Sequence, residues 1–160
     1  RVAAMKSLVL TVSDRVSAGT AVDTAGPAAV EMLAAAGIDA DLRVVPDGIE
    51  SVSTALQDAV VIHRPLVITA GGTGVAERDL TPEATLTVID REVPGIAEAI
   101  RAMSLEKTPH AMLSRGVAGI KRSTLIVNLP GSERAVRECM EVLTPVLPHA
   151  LELLDGYTDH

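Results

Sequence analysis

The strongest constraint on this chain is an alternation: short apolar runs, each ending among Gly, Asp or Ser, separated by stretches of helical periodicity. The first run is Leu8-Val9-Leu10-Thr11-Val12, which leads into Ser13-Asp14-Arg15. Ala40–Val45 closes at Pro46-Asp47-Gly48, Leu66–Ala70 opens into Gly71-Gly72-Thr73-Gly74, and Thr124–Leu129 runs into Pro130-Gly131-Ser132. Between them Val30 and Leu33 share one helical face ahead of Gly37, while Ile49, Val52, Leu56, Val60 and His63 recur at helical spacing up to Pro65. Asp47 reads as the N-cap of that second helix, with Glu50 at N3 completing a capping box. Thr81 reads as another N-cap, with Pro82 at N1, starting a helix through Ile89. Residues 94–104 predict a further helix, and 133–154 a long amphipathic segment bent near Pro145 and Pro148. Apolar strands alternating with helices predict an α/β fold: three αβα layers around an open, mostly parallel sheet. A chain of 160 residues can bury about 70% of its unfolded surface, enough for one sizeable core. The expectation is a single domain over residues 1–160, with its core at about 7–154.

That core must be aliphatic. The chain is 48% hydrophobic yet has no Phe, no Trp and a single Tyr, Tyr157. Recognition by ring stacking, common in single-stranded nucleic-acid binders, has almost nothing to work with. The net charge of −7 and the lack of any Lys/Arg run longer than Lys121-Arg122 disfavour a duplex as well. No apolar run approaches the roughly 18–20 residues that span a bilayer, so no membrane partner is expected. Arg1-Val2-Ala3-Ala4-Met5-Lys6 has no signal-peptide apolar region, and lone Cys139 allows no internal disulfide, so a cytoplasmic location is expected.

In an open parallel sheet, ligands bind beyond the carboxyl ends of the strands. The segments leaving those ends, 13–19, 46–48, 71–79 and 128–132, hold most of the chemically interesting residues, which predicts one site. Gly71, Gly72, Thr73 and Gly74 place three glycines in four positions after a strand, exposing backbone N–H groups to an anion such as phosphate. No Gly-Lys-Ser/Thr follows, and Glu77 stands where a dinucleotide fingerprint needs its third Gly. The plain alternative is a tight turn with no ligand. A carboxylate beside a phosphate cradle is repulsive unless a cation intervenes, so Asp79 suggests Mg²⁺; otherwise it pairs with Arg78 or an orphan amide. Asp47 can cap its helix and still face a ligand. Ser13 and Asp14 offer hydrogen-bonding side chains at a strand exit, or simply a solvated turn. Ser114 and Arg115 offer a hydroxyl and a guanidinium suited to phosphate, and Pro130, Gly131 and Ser132 form a second candidate anion nest. His63 and His149 fit packing or capping roles, Cys139 a small buried apolar one, and no HExxH or GxSxG is present.

Taken together and in order, these segments resemble the molybdopterin-binding family of molybdenum-cofactor biosynthesis, in particular the molybdopterin adenylyltransferases. The resemblance covers about residues 7–154 and rests on Thr11-Val12-Ser13-Asp14-Arg15, Gly71-Gly72-Thr73-Gly74 and Arg78-Asp79-Leu80-Thr81-Pro82-Glu83-Ala84. Glu92-Val93-Pro94-Gly95, Leu113-Ser114-Arg115 and Asn128-Leu129-Pro130-Gly131 complete it. It implies a Rossmann-like fold, usually a homotrimer, that joins molybdopterin to AMP using ATP and Mg²⁺ and releases pyrophosphate. It implies that Asp47 and Asp79 are the catalytic, metal-associated carboxylates. Ser13, Asp14, Gly71, Gly72, Thr73, Gly74, Ser114, Arg115, Pro130, Gly131 and Ser132 then match segments lining the pterin-phosphate and nucleotide pocket. A downstream metal-insertion enzyme is an implied partner. The chain departs from the family pattern at Ala25, where a Ser is common, and at Ser132-Glu133, where Asn-Pro is common. A non-catalytic molybdopterin-binding module, or a scaffold, of the same fold is the alternative reading.

Overall fold

The computed structural model describes residues 5–156. Its centre is a six-stranded sheet built from β1 (Ser7–Val12), β2 (Ala40–Val45), β3 (Leu66–Ala70), β4 (Arg91–Glu92), β5 (Ala118–Lys121) and β6 (Thr124–Leu129), in the order β2-β1-β3-β6-β5-β4. β2, β1, β3 and β6 are mutually parallel, with Val9 opposite both Leu42 and Ile68, and Ile68 opposite Val127. β5 and β4 then continue antiparallel. This antiparallel edge was not expected from the sequence; the mostly parallel sheet was.

Strand side chains alternate between two helical layers, as a period of two requires. Val9, Ile68 and Val127 pack under α2 (Ala25–Ala35), α5 (Pro94–Lys107), α6 (Glu133–Leu143) and α7 (Leu147–Leu154). Leu8, Leu10, Val67 and Ile126 pack on the opposite face, under α3 (Ile49–Val61) and α4 (Thr81–Val88). The three-layer αβα architecture follows directly. Every residue of β1, β3 and β6 is buried, whereas β2 forms an exposed edge.

Helix ends explain most local departures. α2 stops at Gly37 (φ 82), whose N–H donates to the Ala34 carbonyl, as its position predicted. α3 ends in the same way on His63 (φ 64), which caps rather than packs. The N-cap of α3 is Gly48 (φ 128), with no side-chain bond, so the expected Asp47–Glu50 capping box does not form. Asp47 is drawn instead to the Asp14 amide (2.9 Å). α4 likewise starts one residue early: Leu80 is its N-cap, Thr81 lies inside the first turn, and the Thr81 hydroxyl donates to the Gly71 carbonyl (2.9 Å). α5 runs three residues past the expected Ser104, to Lys107. The 133–154 segment bends as expected, Pro145 lying in a 3-10 turn between α6 and α7 and Pro148 in the first turn of α7. A four-residue helix, α1 (Asp14–Ser17), follows β1 directly.

Candidate active site

All four parallel strands deliver their carboxyl ends to one rim, and backbone bonds tie the exits together. The Ser13 N–H donates to the Val45 carbonyl and the Gly71 N–H to the Leu129 carbonyl, each at 3.0 Å. Gly71 (φ 113) sits so tightly on β1 that a Cβ there would collide with the Val12 carbonyl oxygen. A Cβ on Gly131 would lie 3.3 Å from the Gly71 Cα. Glycine is required at Gly71, where main chain meets main chain at positive φ, and a side chain at Gly131 would have to push the Gly71 main chain back.

Two cavities are lined by these loops. A polar one of about 270 Å³ brings together Ser13, Asp47, Gly71, Gly72, Asp79 and Gly131, with Thr11 and Asp23 opposite. A larger one of about 400 Å³ collects Thr73, Gly74, Ser114, Pro130 and Ser132, with Arg101, Lys107, His110 and Arg134 around it. The segments expected to form one site therefore divide between two cavities, Gly71, Gly72 and Gly131 in one and Thr73, Gly74, Pro130 and Ser132 in the other. Asp14 and Arg115 line neither cavity.

At the edge of the polar cavity Asp47 and Asp14 each donate a backbone N–H to the other's carboxylate. The Asp14 N–H donates to Asp47 Oδ2 (2.9 Å), and the Asp47 N–H donates to Asp14 Oδ1 (3.1 Å). Burial pushes the Asp47 carboxyl above the usual carboxylate range, and the nearby Asp14 and Asp79 charges push the same way. Asp14 is held low by its hydrogen bond from Arg78, whose Nε and Nη2 reach its two carboxylate oxygens at 2.6 and 3.0 Å. Arg78 thus pairs with Asp14 and not with its neighbour Asp79, and Asp79 Oδ2 accepts the Ala76 N–H (3.0 Å). Across the cavity, Asp23 accepts from the Thr11 hydroxyl (2.8 Å) and the Gly26 N–H (2.9 Å). Ala25 lies on the same wall, where a serine hydroxyl would face the cavity.

Among the described residues no group of three or more His, Cys, Asp or Glu side chains is placed to hold a metal ion. A pair of carboxylates on one cavity, Asp47 sensing the Asp79 charge, nonetheless fits Mg²⁺, which takes one or two carboxylates and completes its shell with water and phosphate.

The remaining expected residues have defined local work. Ser13 caps α1 and Ser132 caps α6, each hydroxyl accepting an N–H at 3.2 Å. Glu133 sits in the first turn of α6 and pairs with Arg137 (3.3 Å). The Arg115 guanidinium is committed to protein groups: Glu83 (2.6 and 3.1 Å), the Gly74 carbonyl (2.8 Å) and the Asp79 carbonyl (2.6 Å). Its bond holds the Glu83 carboxyl below its ordinary range. Sequence reasoning missed the buried polar network under the glycine loop. Asn128 donates to the hydroxyls of Thr69 (3.1 Å) and Thr85 (3.0 Å), Thr85 donates to the Thr81 carbonyl (2.9 Å), and Thr81 holds Gly71. An Asn inside an otherwise apolar run was its one visible cue.

A family model described as "Probable molybdopterin binding domain" matches residues 8–149. The chain is 41% identical over 159 residues to gephyrin of Dictyostelium discoideum, covering 92% of this chain but only 22% of that protein. It also spans only a quarter (25%) of the molybdenum cofactor synthesis protein cinnamon of Drosophila melanogaster. It is 38% identical to the molybdopterin adenylyltransferase of Escherichia coli K12 across 92% of this chain and 84% of that one. The solved molybdopterin biosynthesis Mog protein of Mycobacterium ulcerans superimposes with a TM-score of 0.89 at 44% identity, over 94% of this chain and 99% of the other.

Proposed function

Because this chain belongs to the molybdopterin-binding domain family, we propose that it catalyses ATP- and Mg²⁺-dependent adenylylation of molybdopterin, releasing pyrophosphate. The observation that carries the proposal is the meeting of Asp47 and Asp79 on one polar cavity walled by Gly71, Gly72 and Gly131. The nucleophile is the terminal phosphate of molybdopterin, attacking the α-phosphate of ATP. Already ionised at neutral pH, it needs no strong general base, which suits a cavity lined by carboxylates, hydroxyls and glycine and without His or Cys. Several negative charges must converge, so the residues' task is positioning and charge compensation. Asp47 and Asp79 would hold Mg²⁺, which would neutralise phosphate charge in the transition state. The glycine loops seat against neighbouring main chain and side chains where a Cβ would intrude, and so hold the cavity wall in place. Ser13, Thr73, Gly74, Ser114, Pro130 and Ser132 complete the walls against substrate and nucleotide.

The described domain would act as a homotrimer in the cytoplasm and hand its product to a metal-insertion enzyme. The family resemblance supports this, and no described helix is long and apolar enough to cross a membrane. Incubation with molybdopterin, ATP and Mg²⁺ should give adenylylated molybdopterin and pyrophosphate. Asp79→Asn should abolish product while pterin binding persists. Unchanged turnover in that variant removes Asp79 from the mechanism, and binding without product in the wild type favours a non-catalytic binding module.

A further inference from the structure

Two arginines stand in matching relations to the two cavity aspartates. Arg78 Nη2 donates to the main-chain carbonyl of Asp47 at 2.8 Å. Arg115 Nη2 donates to the main-chain carbonyl of Asp79 at 2.6 Å. Each guanidinium is neutralised by a two-point pair with one carboxylate, Asp14 for Arg78 and Glu83 for Arg115. Neither arginine, nor Asp14 nor Glu83, lines the polar cavity or the larger one beside it.

We propose that Arg78 and Arg115 are positioning residues, each gripping one catalytic aspartate by its carbonyl, and that Asp14 and Glu83 are their counter-ions rather than ligands for substrate phosphate. The inference rests on the adenylylation reading and reassigns two residues, Asp14 and Arg115, that the family resemblance places in the substrate pocket.

The donor inventory supports it. An arginine offers five N–H groups in a rigid fork. Arg115 spends Nε on the Gly74 carbonyl, Nη1 on Glu83 and both directions of Nη2 on Glu83 and Asp79. A phosphate would meet a guanidinium already charge-compensated by Glu83 and with most of its donors in use. The clamps also span what local sequence cannot. Arg78 ties the loop after β3 to the exits of β1 and β2, and Arg115 ties the connection before β5 to both ends of the glycine loop. Its own N–H adds a bond to the Thr73 carbonyl at 2.8 Å. Holding a carbonyl fixes the Cα from which the aspartate side chain departs. A misplacement of about 1 Å at such a group can cost about 100-fold in rate.

The test is Arg78→Lys and Arg115→Lys. A single ammonium keeps the charge but cannot serve a carboxylate at two points and a carbonyl together. Each variant should lose about 10-fold or more in kcat, with KM for molybdopterin and for ATP within about 2-fold of wild type. Asp14→Asn added to Arg78→Lys should cost little more than Arg78→Lys alone, because the pair acts as a unit. Thermal melts establish that each variant is folded, and Glu83→Gln, which leaves Arg115 intact, serves should Arg115→Lys fail to fold. A rise of 10-fold or more in either KM at unchanged kcat makes these arginines phosphate ligands and overturns the inference. So do unaltered kinetics in both variants, or fully multiplicative effects of Arg78→Lys and Asp14→Asn. If the wild type binds both substrates without forming product, it is the adenylylation reading that fails. Calorimetric titration with molybdopterin and with ATP then decides the inference separately: unchanged Kd in the lysine variants supports it, and a 10-fold weaker Kd overturns it.

Discussion

Replacing Gly71 by Ala tests the claim that the site is built by main-chain contact, with Gly19→Ala as the internal control. Both glycines have positive φ, 113 and 80, but a Cβ on Gly19 meets nothing within 4 Å, whereas on Gly71 it strikes the Val12 carbonyl of a central strand. The control variant therefore carries only the backbone strain of an L-residue at positive φ, about 1–2 kcal/mol, partly offset by the reduced freedom of the unfolded chain. Gly71→Ala carries that strain plus overpacking of about 1–3 kcal/mol, at the upper end because a main-chain oxygen cannot rotate away. The total is about 3–5 kcal/mol. At about 2–4 °C per kcal/mol for a chain of this size, the control should melt about 2–8 °C below wild type and Gly71→Ala about 6–20 °C below it. Thermal unfolding followed by circular dichroism reads both values directly. If the two variants melt within 2 °C of each other, the tight seating of the loop on β1 is wrong.

Cys139 is fully buried, and burial pushes its thiol up to about 11. It should resist iodoacetamide at pH 8 in the folded protein and react within minutes in denaturant; rapid labelling of native protein would contradict its placement between α6 and the sheet. Acidification should destabilise the fold. Asp14, Asp41, Glu83 and Asp90 are held low by hydrogen bonds from Arg78, Arg64, Arg115 and Lys121 respectively. A carboxyl with a lower folded than unfolded pKa contributes stability that is complete above the unfolded value and disappears as pH falls through the folded one. Asp47, shifted the other way by burial, opposes them in that window. With four groups against one, the melting temperature should fall steadily between about pH 5 and pH 3, and a flat profile would show that these exposed pairs contribute nothing.

Four of the six strands and all four strand exits were legible because a buried parallel strand leaves a strong mark: a short apolar run stopped by Gly, Asp or Ser. β5 and β4 leave none. Ala118-Gly119-Ile120-Lys121 is too short and too glycine-weakened to stand out, and Arg91-Glu92 is exposed. The turn that joins β5 to β6 hides as well, for its left-handed position is taken by Arg122 (φ 53) instead of the Asn or Gly that usually announces it. The partners of Asp47 and Arg78 differ from those the local pattern offers, for a common reason. Local pattern offers Glu50 as a capping partner for one and Asp79 as a salt-bridge partner for the other. The fold supplies Asp14 to both, from 33 and 64 residues away. Sequence proximity identifies which residues carry charge at a strand exit, and only the sheet order determines which exits are neighbours.

The missing aromatic residues acquire a structural sense from the same rim. Bulky rings hold loops apart and make a pocket from side-chain walls. Here α2 presents Ala25, Gly26, Ala28 and Ala29 to the sheet, and a Cβ on Gly26 would crowd Thr11, Asp23 and Leu42. Gly131 rests against Gly71, Gly71 on Val12, and arginine forks grip the carbonyls of Asp47 and Asp79. Small residues bring the main chains together, and once together they position the carboxylates through backbone bonds. Precision at this site therefore depends on glycines and carbonyl contacts more than on its aliphatic walls. Conservative exchanges among Ile100, Leu113 and Ala135 of the larger cavity should be tolerated where a single methyl group at Gly71 is not.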